Sequence, residues 1–97
     1  MVSSAQRRRD RTAAQLFKLV ASPTRVSILS LIVKRRELAV HEIASSLRMT
    51  HSAVSHQLGL LAHADIVTYI KTGRNMRYAL AKNARAKALI RFLADVS

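Results

Sequence analysis

The chain of 97 residues contains no cysteine, no tryptophan, one proline and two glycines. Without cysteine it has no disulfide, no thiolate metal site and no redox-active thiol, so thiol chemistry says nothing about its compartment. Acidic residues are also scarce, since five Asp and Glu face 17 Lys and Arg, a formal charge of +12. This excess exceeds what solubility needs and favours a polyanionic partner, with nucleic acid as the first candidate.

The length and the apolar content fit one small domain. With 49% hydrophobic residues, the chain can fill one thin core but not two. Four of the first eleven residues are arginines, no signal-peptide core follows them, and no later segment resembles a membrane span. We therefore expect a cytoplasmic protein with no membrane partner, with a basic arm at residues 1–10 and a single domain at 11–97.

The remaining charge is unevenly distributed. Lys34, Arg35 and Arg36 close the second predicted helix, where cations suit a helix C-terminus. Between Ile66 and Ala94 there are seven basic residues and no acidic one. A basic surface over the last third of the chain follows from this distribution.

Two helices are predicted in the first third of the chain. The first covers about residues 11–20, and the second begins at Pro23, with Ser22 placed to cap it. Ile28, Leu29 and Ile32 form a buried stripe on the second helix. This helix is expected to form the centre of the core.

A helix, a turn and a second helix follow in close succession. Residues 41–47 read as a short helix and 48–51 as the turn, with Thr50 or His51 as caps of a helix that begins near Ser52. Apolar side chains at positions 54, 58 and 61 face the core, so the small polar residues between them project outward. Such side chains suit phosphate and base-edge contacts, although an ordinary polar surface would have the same pattern. The candidate DNA contacts in this segment are Thr50, His51, Ser52, Ala53, Ser55, His56 and Gln57.

From Ile66 the apolar period changes to two, which indicates a β-hairpin. Val67 and Tyr69 precede a turn at residues 72–75 that contains glycine and asparagine, and three alternating apolar positions follow it. A cationic hairpin beside a groove-reading helix is a wing, expected along the phosphate backbone or minor groove. A solubilising hairpin is the plain alternative. The candidate wing contacts are Lys71, Arg74, Asn75 and Arg77.

The predicted fold is therefore mainly α with a β-hairpin wing, an α+β winged helix-turn-helix of five helices and a two-stranded wing. The last helix covers about residues 83–96, and its apolar stripe, with Phe92 beside it, matches one on the first helix. Because the other helices already supply a core, we expect the two terminal helices to bury themselves against a second copy. The expected interface residues are Leu16, Phe17, Val20, Ala86, Leu89, Ile90, Leu93 and Val96.

Three segments resemble the ArsR/SmtB family of bacterial winged-helix repressors. LVASPTRVSIL at 19–29 is similar to the family's ALADPTRLRIL, and SAVSHQL at 52–58 resembles its recognition helix. Gly73, Arg74 and residues 78–80 match its wing. The similarity covers residues 12–96 and implies a homodimer through the first and last helices. It also implies binding to an imperfect inverted repeat in a promoter, which blocks transcription.

The sequence departs from the family at its metal-sensing positions. Residues 37–43, ELAVHEI, align with the family's ELCVCDL and contain neither thiol, and the last helix offers only Asp95 among basic residues. His41 and Glu42 are adjacent, and adjacent helical positions diverge by about 100°. We expect no metal and no cofactor. An atypical histidine and carboxylate site that includes His63 and Asp65 remains the metal-responsive alternative.

Catalysis is not expected. Ser52, Ser55 and His56 resemble a nucleophile and base, but no carboxylate or glycine-rich oxyanion turn supports them. The rival function is an architectural protein that coats DNA with little sequence preference. A repressor would prefer its operator over random duplex by roughly a thousandfold, whereas a coating protein would not.

Overall fold

The computed structural model describes residues 2–96, and the predicted segments 1–10 and 11–97 each include one residue outside this range. Five helices and three strands follow one another in the order α1 Ser4–Val20, α2 Pro23–Arg35, β1 Glu37–Ala39, α3 Val40–Leu47, α4 His51–His63, β2 Val67–Thr72, β3 Asn75–Leu80 and α5 Ala84–Val96. The predicted winged helix-turn-helix with five helices and a two-stranded wing is confirmed.

Side-chain caps set most of the helix starts. Ser22 Oγ accepts from the backbone N–H of Arg25 at 3.3 Å, and Pro23 occupies the first turn of α2, as predicted. Thr50 caps α4 in the same way, and Asn83 Oδ1 accepts from the N–H of Ala86 at 2.8 Å at the start of α5. Each cap satisfies a backbone donor that the first turn of a helix leaves without a partner.

The start of α1 differs from the expectation. The helix begins at Ser4, where Ser3 Oγ accepts from the N–H of Gln6 at 3.1 Å, and not near residue 11. The predicted basic arm is therefore helical from Ser4 onward and continuous with α1. Apolar periodicity could not reveal this, because residues 4–10 are almost entirely polar and the side-chain cap acts without any core contact.

The strands form one antiparallel sheet in the order β1-β3-β2. Leu38 of β1 lies opposite Tyr78, and Thr72 pairs with Asn75 across the tip of the hairpin. The two-residue loop between them begins with Gly73 at φ 61°, the positive value that a type II′ turn needs at its first central position. The sheet thus joins the wing to the segment that leads into α3.

The core lies between α2, α3, α4 and the sheet. Ile28, Leu29 and Ile32 are completely buried, as the stripe on α2 predicted. Val54, Leu58 and Leu61 are also completely buried on the inner face of α4, so the outer face of that helix is fixed as well. By contrast, α1 has no buried residue within this single chain.

Among residues 2–96, no single helix is long and apolar enough to cross a membrane. The pair α1 and α2 reaches that length only together, and the two helices bend by 90° at the break between them.

Candidate nucleic-acid interface

The exposed side of α4 carries the small polar residues that the sequence places there. Ser52, Ala53, Ser55 and His56 are exposed, while the three apolar positions on the opposite side are fully buried. Within the described chain, no hydrogen bond engages the side chains of Ser52, Ser55 or His56. These hydroxyl and imidazole groups are free to donate to, or accept from, a ligand in front of the helix.

The turn between α3 and α4 presents the start of this helix. Arg48 adopts the left-handed conformation at φ 54°, and the N–H of Met49 donates to the carbonyl of Ala44 at 2.9 Å, which closes α3. The side chain of Thr50 is exposed and engaged as a cap, and His51 is exposed in the first turn. The N-terminal end of α4 is therefore the end that is open to a partner.

Gln57 differs from the other predicted contacts of this helix. Its side chain is half-buried, and Oε1 accepts a hydrogen bond from Nε of Arg25 at 3.0 Å. Arg25 in turn donates from Nη1 to the carbonyl oxygens of Lys18 and Leu19 at 3.2 and 3.3 Å. No role for Arg25 could be predicted from the sequence, because its contact with Gln57 bridges 32 positions in the chain. Its only signal in the sequence is its place in the segment 19–29 that resembles the ArsR/SmtB family.

The wing has a free cationic tip and a neutralised base. Lys71, Arg74 and Asn75 are exposed around the hairpin turn. Arg77 lies lower on β3, where its guanidinium contacts Glu37 Oε1 at 2.8 Å and Glu42 Oε1 at 3.1 Å. Arg77, one of the predicted wing contacts, therefore lies away from the tip of the wing, since its place in the sheet register puts it opposite β1.

Glu42 connects the wing to α3. Besides its contact with Arg77, Oε1 of Glu42 accepts from the backbone N–H of Ala39 at 2.9 Å, which caps α3. This backbone hydrogen bond and the nearby Arg77 charge hold the pKa of Glu42 below its ordinary value. The hydrogen bond to Glu37 and the charge of Glu42 raise the pKa of Arg77 further. Sequence reasoning considered Glu42 only as a metal ligand and missed this role.

A cleft of about 190 Å³ lies between the wing, the start of α3 and the first turns of α4. Three of its lining side chains carry or can carry positive charge, namely His41, His51 and Arg74, and Ser55 and Asn75 add polar groups. Among the described residues, no carboxylate lines it. The cleft brings the predicted contacts of the helix and of the wing tip onto one surface, as a ligand with a phosphate backbone requires.

The predicted interface residues divide into three groups. Ala86 and Leu89 are 1% and 3% exposed within the single chain, so this chain's own core already covers them. Phe17 and Val96 are 59% and 65% exposed, and Phe17 packs edge-on against Phe92 with ring centroids 5.6 Å apart. The other four are partly buried on the edge of the core: Leu16, Val20, Ile90 and Leu93.

The family's metal positions do not fit a metal here. Ala39 and His41 occupy the two thiol positions, and the carboxylate of Glu42 is committed to Ala39 and Arg77. Asp65 accepts from Arg85 at 3.4 Å. In residues 2–96, no group of three His, Cys, Asp or Glu side chains is placed to hold a metal ion.

Residues 22–69 match the family described as bacterial regulatory protein, arsR family. The transcriptional repressor SmtB homolog of Synechocystis is 40% identical over 70 residues, 72% of this chain and 52% of that protein. The uncharacterized HTH-type transcriptional regulator MJ1325 of Methanocaldococcus jannaschii is 31% identical over 84 residues, 87% of this chain and 93% of that protein.

Solved structures agree with this similarity. The homodimeric winged helix-turn-helix DNA-binding domain Mb0332 of Mycobacterium bovis matches with a TM-score of 0.80 at 25% identity, over 99% of this chain and 84% of that one. The chain spans about half the length of the Synechocystis relative. The exposed helix face, the cationic wing and these matches together show that the chain belongs to the arsR family of winged helix-turn-helix regulatory proteins.

Proposed function

We propose that the chain is a sequence-specific, DNA-binding transcriptional repressor that acts in the cytoplasm as a homodimer. The observation that carries this proposal is the exposed start of α4, whose hydroxyl and imidazole groups have no hydrogen-bond partner within residues 2–96, beside a wing tip with free cations. A helix of this kind reads base edges in the major groove, and the cations hold the neighbouring phosphates. The relative in Synechocystis is a transcriptional repressor.

The homodimer follows from the terminal helices. The long helix α1 buries none of its residues within one chain, and Phe17 leaves an exposed apolar ring beside α5. A second copy would cover this surface and place two recognition helices on two half-sites, so the DNA site is an inverted repeat. The Mycobacterium bovis domain is homodimeric. We propose that repression depends on no metal.

Selection of binding sites from genomic DNA tests the proposal. A repressor should yield one inverted-repeat sequence near promoters and bind it roughly a thousandfold more tightly than random duplex. Equal affinity for both DNAs would contradict the proposal and favour the architectural alternative, for which the charge of +12 would suffice.

Substitution of His56 tests the role of the helix. His56→Ala should cost roughly 1 to 3 kcal/mol on the selected site and much less on random DNA, because base contacts exist only on the correct site. His63→Ala is the matched control, since this exposed histidine lies at the other end of the same helix. Equal losses for His56→Ala on both DNAs, measured by fluorescence anisotropy, would contradict base reading.

A further inference from the structure

The side chain of Arg25 joins three helices. It belongs to α2, its Nη1 donates to two carbonyl oxygens in the last turn of α1, and its Nε donates to Oε1 of Gln57 on α4 at 3.0 Å. Both Arg25 and Gln57 are half-buried. The two bonds to α1 hold the guanidinium in place, so its bond to Gln57 has a fixed direction.

This contact decides which end of the Gln57 amide can reach DNA. An arginine nitrogen only donates, so the atom of Gln57 that faces Arg25 is the carbonyl oxygen. The amide group is planar, and its nitrogen lies on the arm opposite the oxygen. With the oxygen engaged by Arg25, the NH₂ group is the arm of Gln57 that has no hydrogen-bond partner within residues 2–96 and is therefore available to a ligand.

A free glutamine and a held glutamine read different bases. A free glutamine amide pairs with adenine through both its oxygen and its nitrogen, because adenine presents a donor at N6 and an acceptor at N7. An amide that offers only its NH₂ group fits edges that present acceptors alone, which are O6 and N7 of guanine or O4 of thymine, because at adenine the N6 donor beside the N7 acceptor would be left without a partner.

We propose that Arg25 sets the base preference of the recognition helix by holding the carbonyl oxygen of Gln57. Gln57 then acts as a donor that selects a guanine or thymine edge, and Arg25 is a positioning residue without a DNA contact of its own. The inference rests on the proposed function, since it needs α4 in the major groove. Arginine suits this role because its planar fork donates in several directions from one permanently charged group, which a lysine ammonium does not match.

The test is a complete base-pair scan of the selected operator. Every position is changed to the three other base pairs, and affinities are measured for the wild type, Arg25→Ala, Gln57→Ala and the double variant. The wild type should show a position that depends on Gln57, with guanine or thymine preferred about tenfold. Arg25→Ala should flatten this position or shift it toward adenine and leave the other positions unchanged. The double variant should match Gln57→Ala.

Ser22→Ala is the matched control. It removes the cap of α2 at the same junction, since Ser22 Oγ accepts from the backbone N–H of Arg25, and it leaves the guanidinium bonds in place. It should lower the melting temperature without altering the base profile. Arg25→Lys should behave like Arg25→Ala in the scan. If Arg25→Ala does not fold, Arg25→Met takes its place, because it keeps most of the apolar stem.

Any one of four results would overturn the inference. They are an adenine preference at the Gln57-dependent position of the wild type, an unchanged profile in Arg25→Ala, additive effects in the double variant, and the absence of any Gln57-dependent position. In each of these cases the operator is still preferred over random DNA, so the proposed function stands. Loss of that preference in the wild type would instead overturn the proposed function.

Discussion

At the scale of single residues, the side chains of the candidate interface differ in how firmly they are held. His56 and Arg74 are exposed, without a hydrogen bond from the described chain, and each must lose rotamer freedom when it binds. Gln57 is held by Arg25, and Arg77 is held by two carboxylates. The held residues have already lost that freedom and orient the surface, whereas the free residues supply adaptable contacts.

The lowered pKa of Glu42 predicts how the stability of the chain depends on pH. Its pKa in the folded chain lies below the ordinary value of 4.5, mainly because of the backbone N–H of Ala39 and also because of Arg77. Protonation is therefore harder in the folded state, and Glu42 adds stability above pH 4.5 that is lost as the pH falls through its lowered pKa. Glu42→Gln should be less stable than the wild type at pH 7, and the difference should shrink below pH 4.5.

Urea denaturation at several pH values measures this difference. Asp95→Asn is the control, because Asp95 is an exposed carboxylate near the end of α5. This substitution should change stability little at any of these pH values. A stability gap between Glu42→Gln and the wild type that stays constant from pH 7 to pH 3 would contradict the role assigned to Glu42.

At the scale of elements, the wing combines an exposed charge at its tip with an attachment by ion pairs at its base. Arg77 pairs with Glu37 of β1 and Glu42 of α3, so the hairpin is tied to the segment that precedes the helix-turn-helix. These contacts are partly exposed, and such ion pairs contribute little to stability. Their effect is to set where Arg74 lies relative to α4.

The two wing arginines are therefore predicted to differ in the salt dependence of DNA binding. Arg74→Ala should lower the slope of log K against log salt by about 0.9, because it removes one phosphate contact. Arg77→Ala should leave the slope nearly unchanged, since its charge is already neutralised by carboxylates. The measurement is a salt titration on random duplex. A slope change for Arg77→Ala equal to that for Arg74→Ala would show that Arg77 contacts phosphate.

The recognition helix and the hairpin are the elements that could be predicted from the sequence. Val54, Leu58 and Leu61 repeat at helical spacing, so both the helix and its exposed face could be predicted. The turn at Gly73 could also be predicted, because glycine supplies the positive φ that the hairpin needs.

The partners of Gln57 and Arg77 could not be predicted. Their hydrogen bonds join positions 32 and 40 residues apart, and side-chain chemistry alone does not pair such distant groups. The surface that covers the apolar stripe of α5 could not be predicted either, since periodicity shows that a helix face is buried but not which surface covers it. Leu89 is covered by its own chain.

At the scale of the whole molecule, the assembly is predicted from α1, which has no fully buried residue, and from the exposed Phe17. Phe17→Glu should be tolerated in a single chain, where the ring is 59% exposed, but an unpaired carboxylate buried in a dimer would cost several kcal/mol. Sedimentation should therefore report folded monomers with weak operator binding, because two half-sites are no longer read together.

Two further variants serve as controls for Phe17→Glu. Leu89→Glu should unfold the chain, since Leu89 is 3% exposed inside one copy. Val33→Glu, which alters an exposed apolar residue of α2, should remain dimeric. Should Phe17→Glu remain dimeric at the same concentration, the interface would lie outside α1.

The proposed independence from metal is argued at the scale of the whole molecule, because it depends on the complete set of ligands. A tight transition-metal site needs about three or four convergent thiol, imidazole or carboxylate groups. This chain has no thiol, three of its four histidines lie on α4, and within residues 2–96 no three of its histidines and carboxylates are placed together to hold a metal ion. Of those carboxylates, Glu42 and Asp65 are engaged with Arg77 and Arg85.

We therefore predict that zinc, nickel, cobalt, cadmium and arsenite at low micromolar concentration change operator affinity by less than about threefold, because without a site there is no coupling free energy. Competition with unlabelled operator separates such an effect from non-specific metal binding to His51 and His56 at the proposed DNA surface. A stoichiometric site that lowers operator affinity tenfold, about 1.4 kcal/mol of coupling, would contradict the prediction. Loss of that response in His41→Ala or His63→Ala would then locate the ligands across the dimer, since these histidines lie on α3 and at the end of α4.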